Sequence, residues 1–502
     1  LVSGLSYEVF QTAVVTVDVN GTVTTLGGGA VAGTKKVSIA RNLAASPNVV
    51  AVDLDNGAYS LAGGVSPYNG GGNLPQPKAV CFQDGYFFFL IGDGRIFASG
   101  INALTQNALT FTTMQGKSSV VPMRVIDYSG LVWAFSNAHC ERYQDVANVA
   151  PNFPYARLDI LEWGLVQENA IAGFENGFSV LTWVAQDFGV YQIQPQQSVP
   201  TKISPPDLDK LIEAQVRVGN LLEASCYTFA GKKFWVISSP AWSWEFNLST
   251  NKWNERWSLY AAQGIWGRWR ATCGHPAFNK WLVGDQSSGN LLFVDDQNFT
   301  ENGSPQLFRI ESGPVNNFPN QIRIARADFY FDMGVGQAVG STTMIVTGAA
   351  ASPSGAIRLT LVQVPPNVST NDQCNVTGII GTTEANGSWP ITVVSGTQID
   401  LQGSVFVHAY SSGGTVLDVT APPNVQNPVA AVSCSKDGGY SFDTPSIRSL
   451  APQGRTKRYR VSVKNRGLSS AHGDRWRLDV TDAIYTGLMK ATQSSDPREV
   501  GA

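Results

Sequence analysis

The sequence predicts an all-β chain, with a six- to seven-bladed β-propeller over residues 1–326 and a β-sandwich-like C-terminal domain carrying an inserted small β-domain. Three observations predict it: the composition, a hairpin that recurs at blade-length spacing, and a change of pattern after Arg326. The 50 glycines and 26 prolines stand beside 13 Trp, 15 Tyr and 24 Phe, with only 15% charged residues. Turn-forming glycine together with β-branched and aromatic residues is a strand composition. A chain of 502 residues exceeds one ordinary core, so two or three domains are expected.

The hairpin is clearest near the start. Ala13 to Gly28 reads AVVTVDVNGTVTTLGG and Asn48 to Gly64 reads NVVAVDLDNGAYSLAGG. Each holds an apolar strand, an Asn-Gly turn, an alternating second strand and a closing Gly pair. A two-residue hairpin of the favoured twist needs positive φ at both central residues, which Asn-Gly supplies. Tyr86 to Gly100 (YFFFLIGDGRIFASG) repeats the unit with Asp93-Gly94 at the turn. Looser copies follow at Leu131–Tyr143, Phe178–Ile193, Phe234–Leu248 and Trp281–Val294. The copies are spaced by about 35 to 50 residues, the length of one four-stranded blade, and a solenoid rung is shorter. Between two hairpins, Pro206 to Cys226 opens with Pro-Asp and places Leu208, Leu211, Ile212 and Val216 at helical spacing, so a covering helix is expected there.

After Arg326 the pattern changes. ADFYFDMGVG (327–336) is a strand that resumes only at VSCSKDGGYSF (432–442). Residues 327–336 and 431–482 are therefore assigned to the C-terminal β-domain, 337–430 to an insertion, and 483–502 to a tail. Insertions are tolerated at loop tips whose ends lie close together. Ser435 to Phe442 resembles an Asp-box, a structural turn whose Asp bonds backbone amides and whose aromatic packs beneath.

Net charge is −3, which excludes a dedicated nucleic-acid wrapper. The low charge predicts a surface partly covered by copies or partners. Basic residues are nonetheless concentrated: Lys436 to Arg477 carry ten Lys or Arg against three Asp or Glu. Within that stretch Arg455, Lys457, Arg458, Arg460, Lys464 and Arg466 are the candidate assembly or DNA-proximal surface. The alternation of Arg458-Tyr459-Arg460-Val461-Ser462-Val463-Lys464 also fits an ordinary wet strand face.

No chemistry is legible. The cysteines Cys81, Cys140, Cys226, Cys273, Cys374 and Cys434 are scattered, without CxxC or zinc spacing, and read as small buried apolar side chains in a reducing compartment. His139, His275, His408 and His472 have no metal-spaced neighbours, and there is no nucleophile elbow and no P-loop. Catalytic, cofactor and metal sites are expected to be absent. Propellers do host glycosidases, which need paired carboxylates. Asp84, Asp93, Glu175, Asp187 and Asp285 are the available carboxylates, most of them beside turns where Asp is favoured structurally. Trp242, Trp244, Trp253, Trp257, Trp266 and Trp269 with Arg268 and Arg270 fit blade packing and an interface. No apolar run approaches a membrane span and no signal peptide is visible. A first residue of Leu1 in place of Met predicts an upstream segment.

The order of these features resembles a known family. Hairpins at blade spacing are followed by DLDKLIEAQVRVGNLLEASCYTFAGKKFWVIS, WEFNLSTNKWNERWS and GRWRATCGHPAFNKWLVGDQSSGNLLFVD, then by the run from FYFDMGVG through SCSKDGGYSF to GRTKRYRVSVKNRGLSSAHGDRWRLDVTD. This is similar to the packaged-DNA stabilisation, or tail accessory, proteins of short-tailed bacteriophages. The resemblance implies a structural virion protein, assembled in the host cytoplasm. It implies a homo-hexameric ring, the tail nozzle, attached beneath the head–tail adaptor under the portal. Such a ring retains packaged double-stranded DNA, forms its exit channel and docks a tail needle, plug or fibres. The insertion resembles a small β-module of phage tail proteins named after a half-domain of ubiquitin-activating enzyme, without ubiquitin chemistry. The alternative is a carbohydrate-binding propeller or a virion glycoside hydrolase or depolymerase.

Overall fold

The computed structural model describes residues 2, 4–10, 12–33, 35–115, 120–148, 151–260, 263–295, 298–315, 321, 323–332, 343–365, 368–418, 428–451, 458–470 and 473–495. The chain forms two units, one of residues 1–257 and 266–294, the other of 258–265 and 295–502. It is all-β, with a single α-helix among the described residues.

The first unit is a succession of small antiparallel meanders, seven among the described residues. The first comprises Ser6–Phe10, Ala13–Val17 and Val23–Thr25, and the second Ser38–Arg41, Val49–Asp53, Gly57–Ser60 and Ser66–Tyr68. The third runs from Pro77–Gln83 to Gln106–Thr113, the fourth from Pro122–Tyr128 to Tyr155–Leu161, and the fifth from Ile171–Ala172 to Thr201–Lys202. The sixth begins at Glu223–Phe229, and the seventh holds Ala271–Ala277, Lys280–Asp285 and Leu291–Phe293. Each sequence hairpin is the second and third strand of one meander.

Packing explains the apolar runs. Along Tyr86–Ile91, Phe87, Phe89 and Ile91 join a core with Val50, Val52 and Ala58 of the second sheet. The alternate residues Phe88 and Leu90 join Val125, Val132 and Ala134 of the fourth. Likewise Val49 and Ala51 pack toward Val14 of the first sheet. Both faces of a central strand are thus buried, so period-two alternation disappears and the strand reads as continuously apolar. The first strands of consecutive sheets lie side by side, as Ser38–Arg41 does with Pro77–Gln83 and Glu223–Phe229 with Ala271–Ala277. The series returns to its start, because Ser6 Oγ lies 2.7 Å from His275 Nε2 in the seventh sheet.

Several details differ from the sequence expectation. At the Gly turns only glycine is left-handed, with φ of +83° at Gly21, +93° at Gly57 and +91° at Gly94. The turns are longer than two residues and are held instead by an acceptor side chain. Asp18 accepts the amides of Asn20 and Thr22, Asp53 those of Asp55 and Asn56, and Asp93 that of Arg95. The helix spans Pro206–Arg217 and buries Leu208 and Ile212, but Leu211 is exposed. Left-handed Gly219 ends it, and Glu223 onward becomes a strand. Cys273 is exposed, unlike the other five cysteines, because the strand register shifts between Ala271 and Gly274.

In the second unit, one sheet orders Phe308–Glu311, Arg475–Val480, Val429–Ser435 and Ser446–Ser449. A three-stranded sheet places Arg323–Asp332 between Arg458–Leu468 and Gly487–Ser495. Their inner faces share a core of Ile324, Phe329, Phe331, Val432, Val461, Val463, Trp476 and Leu478. Two strands lie outside the bounds read from sequence: Phe308–Glu311, upstream of 327, and Gly487–Ser495, within the presumed tail. Their apolar signal is short, one four-residue alternation and one strand of mixed composition, and pairing with Arg475–Val480 and Arg323–Asp332 recruits them, with Phe308 and Leu488 packed against the core. Residues 333–342 lie outside the described residues; from Thr343 to Asp418 six strands close into a barrel with its own core, including Ile357, Leu359, Ile391, Ile399 and Val416.

Candidate functional site

The turn carboxylates are accounted for structurally. The side-chain turn acceptor seen at Asp18, Asp53 and Asp93 recurs in the remaining four hairpins as Ser136, Asp187, Ser239 and Asp285. Asp285 also receives Arg270 in a two-pronged pair of 3.0 and 2.7 Å, which holds its carboxyl below the usual range despite burial. Asp84 receives the Tyr155 hydroxyl at 3.1 Å. A side-chain oxygen that satisfies a turn amide has little freedom to act on a substrate.

Glu175 is different. It lies in the loop after Ile171–Ala172, where it accepts the Gly173 amide at 2.6 Å and the Cys226 thiol at 3.1 Å. With Asp127, at the end of the first strand of the fourth sheet, it lines a cleft of about 300 Å³ that also includes Gln83, Tyr128, Phe174 and Phe178. Burial first, and the neighbouring Glu175 charge second, push the Asp127 carboxyl up to about 6. The sequence reading selected Glu175 but passed over Asp127, whose strand RVIDY carries no turn or motif signal.

Two further polar clusters join distant sheets. Glu8 Oε1 accepts Ser6 Oγ at 2.7 Å and lies 3.2 Å from His275 Nε2. Ser6 and Glu8 both meet the same ring nitrogen, so this is a latch between the first and seventh sheets and not a relay. Lys36, just before the second sheet, donates to the Ala224 carbonyl of the sixth at 3.2 Å, while Lys35 pairs with Asp55 at 2.8 Å.

The basic stretch of the second unit separates into cations exposed on a sheet face and cations held by side-chain or carbonyl partners. Arg455 and Lys457 lie outside the described residues, as does His472. Arg466 is half-buried, ion-paired to Asp443 and stacked over Trp476. Arg477 pairs with Glu311 and sits 3.6 Å from the Phe442 ring centroid. Lys436 donates to the Arg466 and Leu468 carbonyls. The Asp-box turn forms as expected, with Asp437 accepting the Ser441 amide and Phe442 covered by Arg477. Hydrogen bonds from Ser435 and Ser441 hold the Asp437 carboxyl well below the usual range.

Arg458, Arg460 and Lys464 are exposed on the outer face of the three-stranded sheet, opposite Val461 and Val463. The register places Arg460 beside Tyr330 and Tyr330 beside Lys490. It places Lys464 beside Arg326 and Arg326 beside Ser494. Asp328 on this face is only 3% exposed and is held by Arg326 at 2.8 Å and by the Ser462 hydroxyl at 2.5 Å. Lys490 and Arg326 were not part of the sequence-derived set; only strand pairing brings them there.

The sequence model of a phage-stabilisation family, described as bacteriophage P22 Gp10, β-propeller, matches residues 1–298. The chain belongs to this family. All seven meanders of the first unit fall within the matched range, so the Gp10-type propeller accounts for the repeated hairpin, while the basic sheet face lies beyond it. No curated protein matches the chain. Among solved structures, a computationally designed protein, Ika8, is 11% identical over 58% of this chain and 83% of that one, with a TM-score of 0.33. A chain of the mitotic checkpoint complex is 10% identical over 58% of this chain and 86% of that one, with a TM-score of 0.35. Among the described residues no helix is long and apolar enough to cross a membrane, and no three His, Cys, Asp or Glu side chains gather as metal ligands do.

Proposed function

We propose that this Gp10-family protein is a non-enzymatic component of the phage tail. In this reading six copies form a nozzle ring below the head–tail adaptor, retain the packaged DNA, enclose its exit channel and dock a needle, plug or fibres. Membership of the phage-stabilisation family over residues 1–298 is the observation that carries it. We take the seven meanders as seven blades, closed by the Ser6–Glu8–His275 latch. Blades that bury both faces against neighbours make a rigid wall element, and heterologous contacts that close give rings. The Lys36 bridge between the second and sixth sheets supports a duplex path between copies in this reading, in preference to one along a single propeller's own axis. The 343–418 barrel is taken to decorate the nozzle. Electron microscopy of the purified protein and mass spectrometry of tails against empty heads test the reading. A hexameric ring and enrichment in tails are expected; a monomer absent from particles overturns it.

A second reading, saccharide binding or cleavage, is favoured by one observation, the Asp127–Glu175 cleft. Paired carboxylates beside aromatic rings are what sugar chemistry uses. Release of sugar from host polysaccharide by the wild type, lost in Asp127→Asn and Glu175→Gln, would establish it; no release by the wild type removes it.

A further inference from the structure

We propose that the outer face of the three-stranded sheet is a docking surface for the phosphate backbone of duplex DNA. Its setting rests on the virion role above; the binding itself does not. The chain carries a net charge of −3, yet among the described residues this face gathers Arg326, Arg458, Arg460, Lys464 and Lys490 against Asp328 and Asp332. Of the two carboxylates, Asp328 is buried and already paired with Arg326. Asp332 sits at the sheet end, in register with Arg458.

Arg460, Lys464 and Lys490 are the three that matter. Each is exposed, and none has an anionic partner among the described residues. Arg460 and Lys490 flank Tyr330 on neighbouring strands, so their backbones are roughly 10 Å apart, and Lys464 lies about 13 Å along the strand from Arg460. Like charges held near one Debye length repel weakly, and a polyanion offsets that repulsion more fully than the committed Asp328 and the terminal Asp332 do. Between the cations the face presents the hydroxyl of Thr492, a short group of the kind that bonds phosphate oxygens, while the Ser462 and Ser494 hydroxyls are held by Asp328 and by the Arg326 carbonyl. The face is the surface of a three-stranded sheet, and none of its Arg or Lys sits on a helix or two-stranded ribbon that could enter a groove. It therefore grips backbone and reads no sequence. An acidic protein patch is the competing partner. A duplex fits better because its phosphates form a continuous row, which spaced cations can meet in many registers, as a sliding genome requires.

The test uses the full-length protein and a short duplex, with fluorescence anisotropy across a salt series. Three neutralised phosphates give a slope of log K against log salt of about −2.7, a loss of roughly 40-fold between 50 and 200 mM salt. Each of Arg460→Gln, Lys464→Gln and Lys490→Gln should reduce the slope magnitude by about 0.9, and the triple variant should abolish this component. Two unrelated duplex sequences should bind equally. The substituted residues are exposed, so an unchanged thermal unfolding profile is expected and is checked first; should a glutamine variant fail that check, the Lys464→Arg and Lys490→Arg variants, expected to keep the slope, are read instead. A triple variant that binds DNA with the wild-type slope overturns the inference. So does equal binding of poly-glutamate, which would assign the face to an acidic protein. Normal rings formed by a triple variant that no longer binds DNA leave both proposals standing. DNA binding by a protein that never enters particles supports this one while ending the nozzle reading.

Discussion

Replacing Asp127 by Asn should stabilise the first unit at neutral and alkaline pH and do nothing in acid. The Asp127 carboxyl is pushed up to about 6 from an ordinary value of 3.8, chiefly by burial and then by Glu175. An acid whose folded-state pKa is raised favours folding only while it is protonated. Well below pH 4 both states are protonated and the site costs nothing, and at pH 4 the partly ionised unfolded chain makes the cost less than ~1 kcal/mol. As pH rises through the interval to 6, the unfolded chain ionises first and stability falls. Above it the cost levels off at ~3 kcal/mol, taking ~1.4 kcal/mol per pH unit of displacement. Asparagine keeps the shape and one carbonyl acceptor and cannot ionise, so the variant escapes the penalty. The assay is urea unfolding of wild type and variant at pH 4, 6 and 8 (arbitrary but bracketing settings, about two units apart), followed by the fluorescence of buried Trp133, Trp183 and Trp235, which report on this unit. Wild type and variant should differ least at the acid end and separate progressively above it. Glu175→Gln in the wild-type background should narrow the gap, because it removes a charge that raises the Asp127 pKa. A difference that is constant across pH, or a variant less stable than wild type at alkaline pH, refutes the argument.

Three further outcomes follow from the same packing. Glu141 is fully buried and accepts the Gln115 amide, the Tyr143 hydroxyl and Arg157 Nε; Glu141→Ala leaves the buried Tyr143 hydroxyl without its acceptor and Arg157 with the Thr113 carbonyl alone, and should cost ~3–5 kcal/mol in urea unfolding, with Arg157→Met recovering part of the loss. Phe88→Ala removes a ring that lies 4.8 Å from Tyr155 in the core between the third and fourth sheets, and an unfolding loss of ~3–5 kcal/mol is expected by denaturant titration. Asp93→Ala removes the acceptor for the Arg95 amide at an exposed turn, which should cost only about 1 kcal/mol by thermal melting and leave the hydrogen-exchange pattern of the other sheets unchanged.

The two units were legible to different depths, and the difference is physical. A hairpin is local: its apolar strands and its turn acceptor lie within one short stretch, so seven could be found from sequence. The first three stood out because Gly21, Gly57 and Gly94 mark their turns. The later ones were blurred because Ser136 and Ser239 do with a hydroxyl what Asp does with a carboxylate, and a lone serine carries little signal. The helix was placed but overrun, since nothing before Gly219 forbids continuation; left-handed Gly219 ends it and the Glu223–Phe229 strand, paired with Lys232–Ser238, takes over the rest of the stretch.

What escaped was set by pairing between distant segments. Asp127 sits in a strand that reads as ordinary, and its perturbed acidity comes first from burial and then from Glu175, which a loop almost fifty residues later brings to the same cleft. The basic face follows the same rule. From sequence, Arg458, Arg460 and Lys464 are one alternating strand, equally suited to water or to a ligand. The register with Arg323–Asp332 and Gly487–Ser495 then sets which cations share the face. It spends Arg326 on Asp328, and it sets Lys490 across Tyr330 from Arg460. The committed cation and the added one come from strands whose own sequences announce neither role. Charge counted along a chain therefore overstates a binding face where neighbours neutralise it, as with Arg466 and Arg477, and understates it where a distant strand contributes. The quantity that governs polyanion affinity is the number of unpaired cations sharing one surface, and that number is a property of register.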